Sequence, residues 1–146
     1  RAVDAGAKFI VAPDLNDSVA EYCVKNNLAF FPGALTPTEI AKAWSSGATM
    51  VKVFPASQMG PSYFKVLKGP FEQIKLMAVG GVGPKNISEY FSAGASAVAL
   101  GGSIFSLSRM ANREYNAMQK DIEEFMFAVN KNYSNIDNID LANHSN

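Results

Sequence analysis

The sequence predicts an α/β fold in which strands and helices alternate to build a parallel sheet. The prediction depends on one pattern that occurs three times: a Gly-Ala pair that separates a helical stretch from an apolar run. Glycine suits the left-handed residue that ends a helix, and an uninterrupted apolar run suits a strand that is buried on both faces. The three copies are Gly6–Val11, Gly47–Lys52 and Gly94–Val98. Their spacings of 41 and 47 residues each accommodate two βα units.

Two further apolar runs lie between these copies, at Leu28–Phe31 and Ile74–Val79, and raise the number of predicted strands to five. Short connections between alternating strands and helices imply parallel pairing with right-handed crossovers. Five such units in 146 residues form only part of a (β/α)8 barrel, because a complete one needs about 200 residues or more. An open, flavodoxin-like sheet of five strands fits the same length without loss and is the alternative.

The predicted helices have recognisable beginnings. Thr36-Pro37-Thr38-Glu39 is a capping-box pattern with proline at the first helical position. Gly83-Pro84 opens a second helix, and a residue within 16–18 caps a third. A longer helix is predicted from about Met110 to Asn130, with these side chains at core spacing: Tyr115, Met118, Ile122, Phe125 and Val129.

The two ends of the chain differ from the regular middle. Arg1-Ala2-Val3 begins without an initiator methionine and in what reads as the end of a helix, so we expect a longer protein. Residues 1–130 are expected to belong to one domain. The asparagine-rich sequence after Lys131 has little apolar surface to offset the entropy of ordering. Residues 131–146 are therefore predicted to be a disordered tail.

Composition excludes several classes of function. Thirteen basic and thirteen acidic residues cancel, so nothing favours a nucleic-acid or a membrane surface. No apolar run approaches the ~18 residues of a membrane span, and no signal peptide is recognisable. Cys23 is the only cysteine and lies at a helical core position, where a buried thiol is expected. These features favour a cytoplasmic protein.

The most informative segment is Met50–Ala56, because a lysine stands in the middle of an apolar strand. Desolvation disfavours the ammonium form, and a neutral amine is a nucleophile for carbonyl groups. Pro55 ends the strand and leaves Lys52 near its C-terminal end, where barrel active sites are built. A lysine that extends its amine to solvent is equally compatible with the strand alone.

Glycine clusters follow two successive strands. Gly80-Gly81 follows Ile74–Val79, and Gly101-Gly102-Ser103 follows the strand after it. Glycines allow backbone N–H groups to approach an anion, and a following helix N-terminus favours negative charge. At the last two strands of a barrel, these loops correspond to its usual phosphate site. A single such pair would be read as a turn.

Other polar or glycine-containing segments receive structural interpretations. Phe31-Pro32-Gly33 is, on its chemistry alone, an ordinary strand-to-helix loop. Asp14 and Asp17 precede a helix, where capping is expected rather than metal binding. His144 is the only histidine and lies in the tail, so neither a histidine-based triad nor a metal site is predicted.

At these residues the sequence resembles the 2-keto-3-deoxy-6-phosphogluconate (KDPG) and 4-hydroxy-2-oxoglutarate aldolase family, a group of (β/α)8 class I aldolases. The resemblance runs from about Gly6 to Ser106 in order and spacing. It implies that the chain is the C-terminal five βα units of a barrel. The matching segments are Gly6–Pro13, Phe31–Gly33, Thr36–Glu39, Val51–Ala56, Leu67–Phe71, Gly80–Val82 and Gly101–Ser103.

The resemblance also assigns roles. Lys52 corresponds to the Schiff-base lysine, Phe54 to an aromatic residue beside the bound pyruvate portion, and Pro32-Gly33 to the neighbouring loop. The phosphate cradle corresponds to Gly80, Gly81, Gly101, Gly102 and Ser103. The implied reaction cleaves a phosphorylated keto acid to pyruvate and glyceraldehyde 3-phosphate, without a cofactor and in a homotrimer.

Two departures from the family matter. Val79 stands where the family usually has a threonine before the glycine pair, and a similar valine occurs in relatives that act on the galactonate epimer. The family's general-base glutamate and its carboxylate-binding arginine and threonine lie on earlier strands that this sequence lacks. Glu39 and Glu21 belong to helix patterns and do not replace that glutamate.

Two alternatives to an aldolase are retained. One is a non-catalytic barrel fragment that needs its missing N-terminal half, because five strands leave two open edges. The other is a different phosphate-binding barrel enzyme, such as an isomerase, in which Lys52 polarises a carbonyl without forming an imine.

Overall fold

The computed structural model describes the backbone of residues 1–143 and the side chains of residues 1–132, and it confirms the predicted α/β alternation. The strands are β1 (Phe9–Val11), β2 (Ala29–Phe31), β3 (Gly33–Ala34), β4 (Val51–Val53), β5 (Leu76–Val79) and β6 (Ala97–Ala99). The helices are α1 (Asp17–Lys25), α2 (Pro37–Ser45), α3 (Ala56–Lys68), α4 (Ile87–Ser92), α5 (Leu107–Ala111) and α6 (Tyr115–Asn143). Within the described part of the chain, none of these helices combines the length and hydropathy of a bilayer span.

All strand pairs are parallel and follow chain order. β1 pairs with β2, and a second sheet has the order β3-β4-β5-β6. The strand predicted at Leu28–Phe31 extends past Pro32 as β3, so one predicted strand becomes two short ones. Pro32 lies at the break, where its carbonyl accepts a hydrogen bond from Lys52 N at 2.9 Å. The same segment thus pairs with β1 before the proline and with β4 after it.

The main core lies between the second sheet and the helices that cover one of its faces. Val51 and Val53 of β4 are fully buried there, together with Ile40 of α2 and Phe64 of α3. The ring of Phe64 meets Tyr90 of α4 edge-on, with centroids 5.3 Å apart. Because side chains alternate along a strand, the burial of both valines directs Lys52 to the opposite face.

Two predicted helix beginnings are confirmed. Thr36 Oγ1 accepts a hydrogen bond from Glu39 N, and Glu39 Oε2 accepts bonds from Thr36 N at 2.8 Å and Leu35 N at 2.9 Å. These bonds, that from Thr36 foremost, hold the pKa of the Glu39 carboxyl below its ordinary value. Asn16 caps α1 by accepting from Val19 N at 3.1 Å. Cys23 is buried, as expected.

Gly83-Pro84 does not open a helix, and that prediction is wrong. The helix begins at Ile87 instead, because Asn86 holds the preceding turn with its side chain. Asn86 Oδ1 accepts from Gly83 N at 2.9 Å, and Asn86 Nδ2 donates to Gly81 O at 3.0 Å.

The long helix predicted from Met110 is interrupted. α5 ends at Ala111, and α6 begins at Tyr115 after Arg113, which has a left-handed φ of 54°. Tyr115 is 57% exposed and was wrongly predicted as core, whereas Met118 and Phe125 are buried. The tail predicted from residue 131 overlaps the end of α6, which continues to Asn143. Residues 144–146 lie outside the described residues.

Candidate active site

Lys52 occupies the centre of β4 between two unlike neighbours. Its Cα is in register with Gly33 on β3 and with Met77 on β5. Gly33 has no side chain, and the place that a side chain would take beside the lysine is filled by the backbone of Pro13. Lys52 itself is half-buried, on the face of the sheet that the helices do not cover.

The amine of Lys52 has two neighbours. Lys52 Nζ donates to the carbonyl of Ala12 at 3.4 Å and lies 4.8 Å from the centre of the Phe54 ring. Within residues 1–132, whose side chains are described, no carboxylate forms an ion pair with this amine. The amine therefore has capacity left for a substrate.

Gly33 brings the loop after β1 over this amine. A Cβ placed on Gly33 would lie 1.9 Å from Pro13 O and 2.4 Å from Pro13 C, so only glycine permits this approach. Ala12, which accepts the bond from the lysine, directly precedes Pro13. The segment Phe31-Pro32-Gly33 is therefore more than the ordinary loop that its chemistry suggests, because it fixes the position of the acceptor.

The segment after Gly33 is held by hydrogen bonds to both backbone polar groups of Leu35. Glu39 accepts from Leu35 N, and Tyr63 Oη donates to Leu35 O at 2.5 Å. Burial raises the pKa of Tyr63, which keeps this hydroxyl protonated as a donor. Because its carboxylate is occupied by backbone N–H groups, Glu39 is not free to act as a base. A cavity of about 340 Å³ lies beside these residues, lined by Asp14, Gly33, Phe54 and others.

The loop after β5 packs against the segment that follows β4. Gly80 has a φ of +92°, and a Cβ there would lie 3.1 Å from the Phe54 ring. Gly81 has a φ of +74°, and a Cβ would lie 2.4 Å from Ser57 Cβ. Ser57 N also donates to Gly80 O at 3.0 Å. Through Phe54, the glycine pair is brought close to Lys52.

The two predicted glycine loops leave backbone donors available. Among the described residues, no protein acceptor is bound by the N–H groups of Gly80, Gly81, Gly102 or Ser103. Successive N–H groups with no internal partner can form anion-binding concavities, and in the first loop Gly80 and Gly81 both have the left-handed φ that such turns use. Register between β5 and β6, with Val79 opposite Ala99, places both loops at the same sheet edge.

A second cavity of about 340 Å³ lies between these loops and contains residues that sequence reasoning missed. It is lined by Gly81, Ser103, Asn86 and, from α6, Asp121 and Glu124. The acidic side chains come from a helix predicted only as packing. The position of a residue on a long amphipathic helix does not indicate how far it lies from a given loop. The sequence therefore could not predict that Asp121 and Glu124 lie near the glycine loops.

The uncovered face of the sheet forms an apolar concavity of about 460 Å³. Val79 lines it with Phe31 and Met77, and Phe9 and Val11 of β1 are 58% and 50% exposed there. Val79 thus directly precedes the Gly80-Gly81 loop, but its side chain forms part of an apolar surface. Among the described side chains, no group of three or more His, Cys, Asp or Glu residues could hold a metal ion.

Comparison with known proteins gives a consistent family. A model described as "KDPG and KHG aldolase" matches residues 1–121. The 2-dehydro-3-deoxy-6-phosphogalactonate aldolase of Escherichia coli K12 is 34% identical over 125 residues, which make up 85% of this chain and 61% of that enzyme.

Solved structures agree with this match. A structure described as native KDPGal has a TM-score of 0.75 at 30% identity, over 87% of this chain and 62% of that one. A KDPG aldolase from Legionella pneumophila, with pyruvate captured as a covalent carbinolamine intermediate, has a TM-score of 0.71 at 26% identity. That match covers 81% of this chain and 58% of the Legionella chain. This chain therefore spans about three fifths of the length of these relatives.

The close approach at Gly33 predicts a specific loss of stability. In Gly33→Ala, the added methyl group must displace the Pro13 backbone, and the free energy of unfolding should fall by about 1–3 kcal/mol, as in other overpacked sites. Gly83→Ala is the matched control, because a Cβ there meets nothing within 4 Å; its change should stay within about 0.5 kcal/mol. Urea unfolding measures both. Equal effects of the two substitutions would contradict the assigned role of Gly33.

Proposed function

The chain belongs to the KDPG and KHG aldolase family, and we propose that the protein containing it is a class I aldolase whose Schiff base forms on Lys52. The observation that carries the proposal is the environment of the Lys52 amine. It is half-buried and directed away from the helices, and within residues 1–132, whose side chains are described, its contacts are the Ala12 carbonyl at 3.4 Å and the Phe54 ring. A lysine so placed is suited to attack a carbonyl.

The chemistry follows from an amine at this position. The neutral amine adds to the C2 carbonyl of a 2-keto acid to give a carbinolamine, which loses water to form an iminium ion. A base, by resemblance the glutamate on the earlier strands, removes the proton of the C4 hydroxyl group; the C3–C4 bond breaks, its electron pair moves toward the iminium nitrogen, and the aldehyde leaves. Protonation of the resulting enamine and hydrolysis release pyruvate and restore Lys52. The carbinolamine described for the Legionella relative corresponds to the first of these species.

The aldehyde portion is proposed to carry a phosphate held by the glycine loops. Gly80, Gly81, Gly101, Gly102 and Ser103 lie at the ends of adjacent strands, where the available backbone N–H groups favour an anion. Gly101 and Gly102 have open space where a side chain would stand, so a ligand can approach their backbone closely. Glyceraldehyde 3-phosphate is the corresponding product.

We further propose that residues 1–130 are the C-terminal five βα units of a (β/α)8 barrel. The chain spans 61% of the length of the Escherichia coli relative, and β1 and β6 each pair on one side only. Further strands on those edges would cover the apolar concavity. By resemblance, they would also supply the general-base glutamate and the groups that bind the substrate carboxylate. The resemblance further implies a homotrimer in the cytoplasm, with residues 131–146 outside the barrel.

The stereochemistry of the substrate is a separate proposal. Val79 replaces the usual threonine at the end of β5, which removes a hydroxyl group from the site. The Escherichia coli relative is named for the phosphogalactonate substrate, while the family model includes KDPG and 4-hydroxy-2-oxoglutarate. We propose that the substrate is a phosphorylated 2-keto-3-deoxy sugar acid. Of the two epimers, we propose that the protein prefers the galactonate to the gluconate one.

Borohydride trapping tests the assignment of Lys52. The intact protein is incubated with pyruvate, reduced, and digested for mass spectrometry; we expect one pyruvate-derived adduct, on Lys52. Lys52→Ala should abolish it, whereas Lys75→Ala, at an exposed lysine just before β5, should leave it unchanged. An adduct on another lysine would refute the role of Lys52. The absence of any adduct would favour an imine-free enzyme or a non-catalytic fragment.

Substitution at Val79 tests the proposed epimer preference. Val79→Thr restores a hydroxyl group of similar shape, and the ratio of kcat/KM values should shift toward the gluconate epimer by about tenfold, the effect of one hydrogen bond. Met77→Leu, on the same strand and face, is the control and should leave the ratio unchanged. An unaltered ratio in Val79→Thr would show that the epimers are distinguished elsewhere.

A further inference from the structure

Arg109 of α5 joins three parts of the chain near the second glycine loop. Its Nη1 donates to Asp121 Oδ2 of α6 at 2.7 Å and to the carbonyl of Ile104 at 3.4 Å. Its Nε donates to Glu114 Oε2 at 3.4 Å. The Arg109 side chain is 19% exposed, whereas its partners Asp121 and Glu114 are 46% and 41% exposed.

The loop that Arg109 binds has few other restraints. Ile104 N and Phe105 N both donate to Gly101 O at 3.0 Å, which closes the loop on itself. No atom lies within 4 Å of a Cβ placed on Gly101 or Gly102, so no packing holds those residues. Apart from the buried side chain of Ile104, Arg109 is the connection between this loop and α6 in the described part of the chain.

Arg109 also controls charge at the loop. Asp121 lines the cavity that Ser103 and Gly81 also line. An unpaired carboxylate there would repel a phosphate group, and its 2.7 Å bond to a guanidinium offsets that charge. The hydrogen bond that Arg109 donates to Asp121 raises the pKa of the guanidinium above its ordinary value, which favours the cation.

We propose that Arg109 is a positioning residue for phosphate binding. Its guanidinium donates both to the carbonyl of Ile104, next to Ser103, and to Asp121, and so ties this loop to α6. Its loss should weaken the binding of phosphorylated ligands and leave the reaction of Lys52 with pyruvate unchanged. The inference rests on the proposed function in one respect, which is that the glycine loops receive a phosphate group.

Trapping at Lys52 with two ligands measures the effect in the intact protein. Half-saturating concentrations are determined for pyruvate, which lacks a phosphate, and for 2-keto-3-deoxy-6-phosphogluconate. Arg109→Gln should raise the value for the phosphorylated acid about tenfold, as expected for a lost bond to a charged group, and leave that for pyruvate unchanged. Arg109→Lys should have an intermediate effect, because an ammonium can pair with Asp121 but lacks the planar fork. Arg113→Gln is the control at a nearby exposed arginine.

A second variant separates positioning from charge neutralisation. Asp121→Asn should also weaken binding of the phosphorylated acid, because Arg109 loses its anchor. In the double variant, Asp121→Asn is combined with Arg109→Gln. If this double variant regains binding of the phosphorylated acid, Arg109 acts only by neutralising the charge of Asp121, and the positioning role is overturned. An equal rise for pyruvate and the phosphorylated acid, or no rise in Arg109→Gln, would overturn it as well.

A third readout does not depend on Lys52. Inorganic phosphate is titrated into the protein, and the amide resonances of Gly102 and Ser103 are followed by NMR. We expect saturable shifts in the wild type and weaker binding in Arg109→Gln. Phosphate binding without pyruvate trapping would refute the Schiff-base proposal while supporting the role of Arg109. Pyruvate trapping without shifts at Gly102 and Ser103 would refute the role of Arg109 alone.

Discussion

The site depends on the alternation of side chains along β4. Val51 and Val53 are fully buried beneath α2 and α3, and each would lose on the order of 1.5–3 kcal/mol if it faced water. A one-residue shift of the strand would expose both valines and bury an ammonium group among apolar side chains, where desolvation costs several kcal/mol. The helix-side core therefore fixes the direction of Lys52. Lys52 lies on the face of the sheet opposite the helices because Val51 and Val53 occupy the helix side.

Glycines then determine how closely the loops approach that amine. Gly33 lets the Pro13 backbone lie against β3, and Gly80 lets the end of β5 lie against the Phe54 ring. A methyl group on Gly33 would force the Pro13 backbone away, and one on Gly80 would press on the Phe54 ring in a left-handed backbone conformation. The strands thus fix the position of Lys52. The close contacts at Gly33 and Gly80 bring the Ala12 carbonyl and the N–H groups of the first glycine loop toward its amine. This division places the Lys52 amine and the two glycine loops at one edge of the sheet, where parallel α/β enzymes build their sites.

Much of this arrangement follows from the sequence, and the rest has identifiable physical reasons for not doing so. Five strand positions, the capping box at Thr36 and the place of Lys52 within an apolar strand follow from periodicity and local hydrogen-bond chemistry, whereas the surroundings of its amine do not. The break at Pro32 does not, because it reflects pairing with β1 on one side and β4 on the other. Helical periodicity also predicted Tyr115 wrongly as a core residue. The left-handed conformation of Arg113 interrupts the helix, so α6 begins anew at Tyr115 and the earlier periodicity does not continue into it. The bonds of Asn86 and Arg109 to the glycine loops depend on tertiary distances that a single sequence does not encode in any local pattern.

The central claim is that the Lys52 amine, held between Ala12 and Phe54, is the atom that bonds to substrate. A crystal structure of the intact protein reduced with borohydride in the presence of pyruvate tests this directly. We expect continuous density from Lys52 Nζ to the former carbonyl carbon, with the pyruvate-derived group beside the Phe54 ring. Density for an unmodified Lys52, with pyruvate bound elsewhere or joined to another lysine, would contradict it.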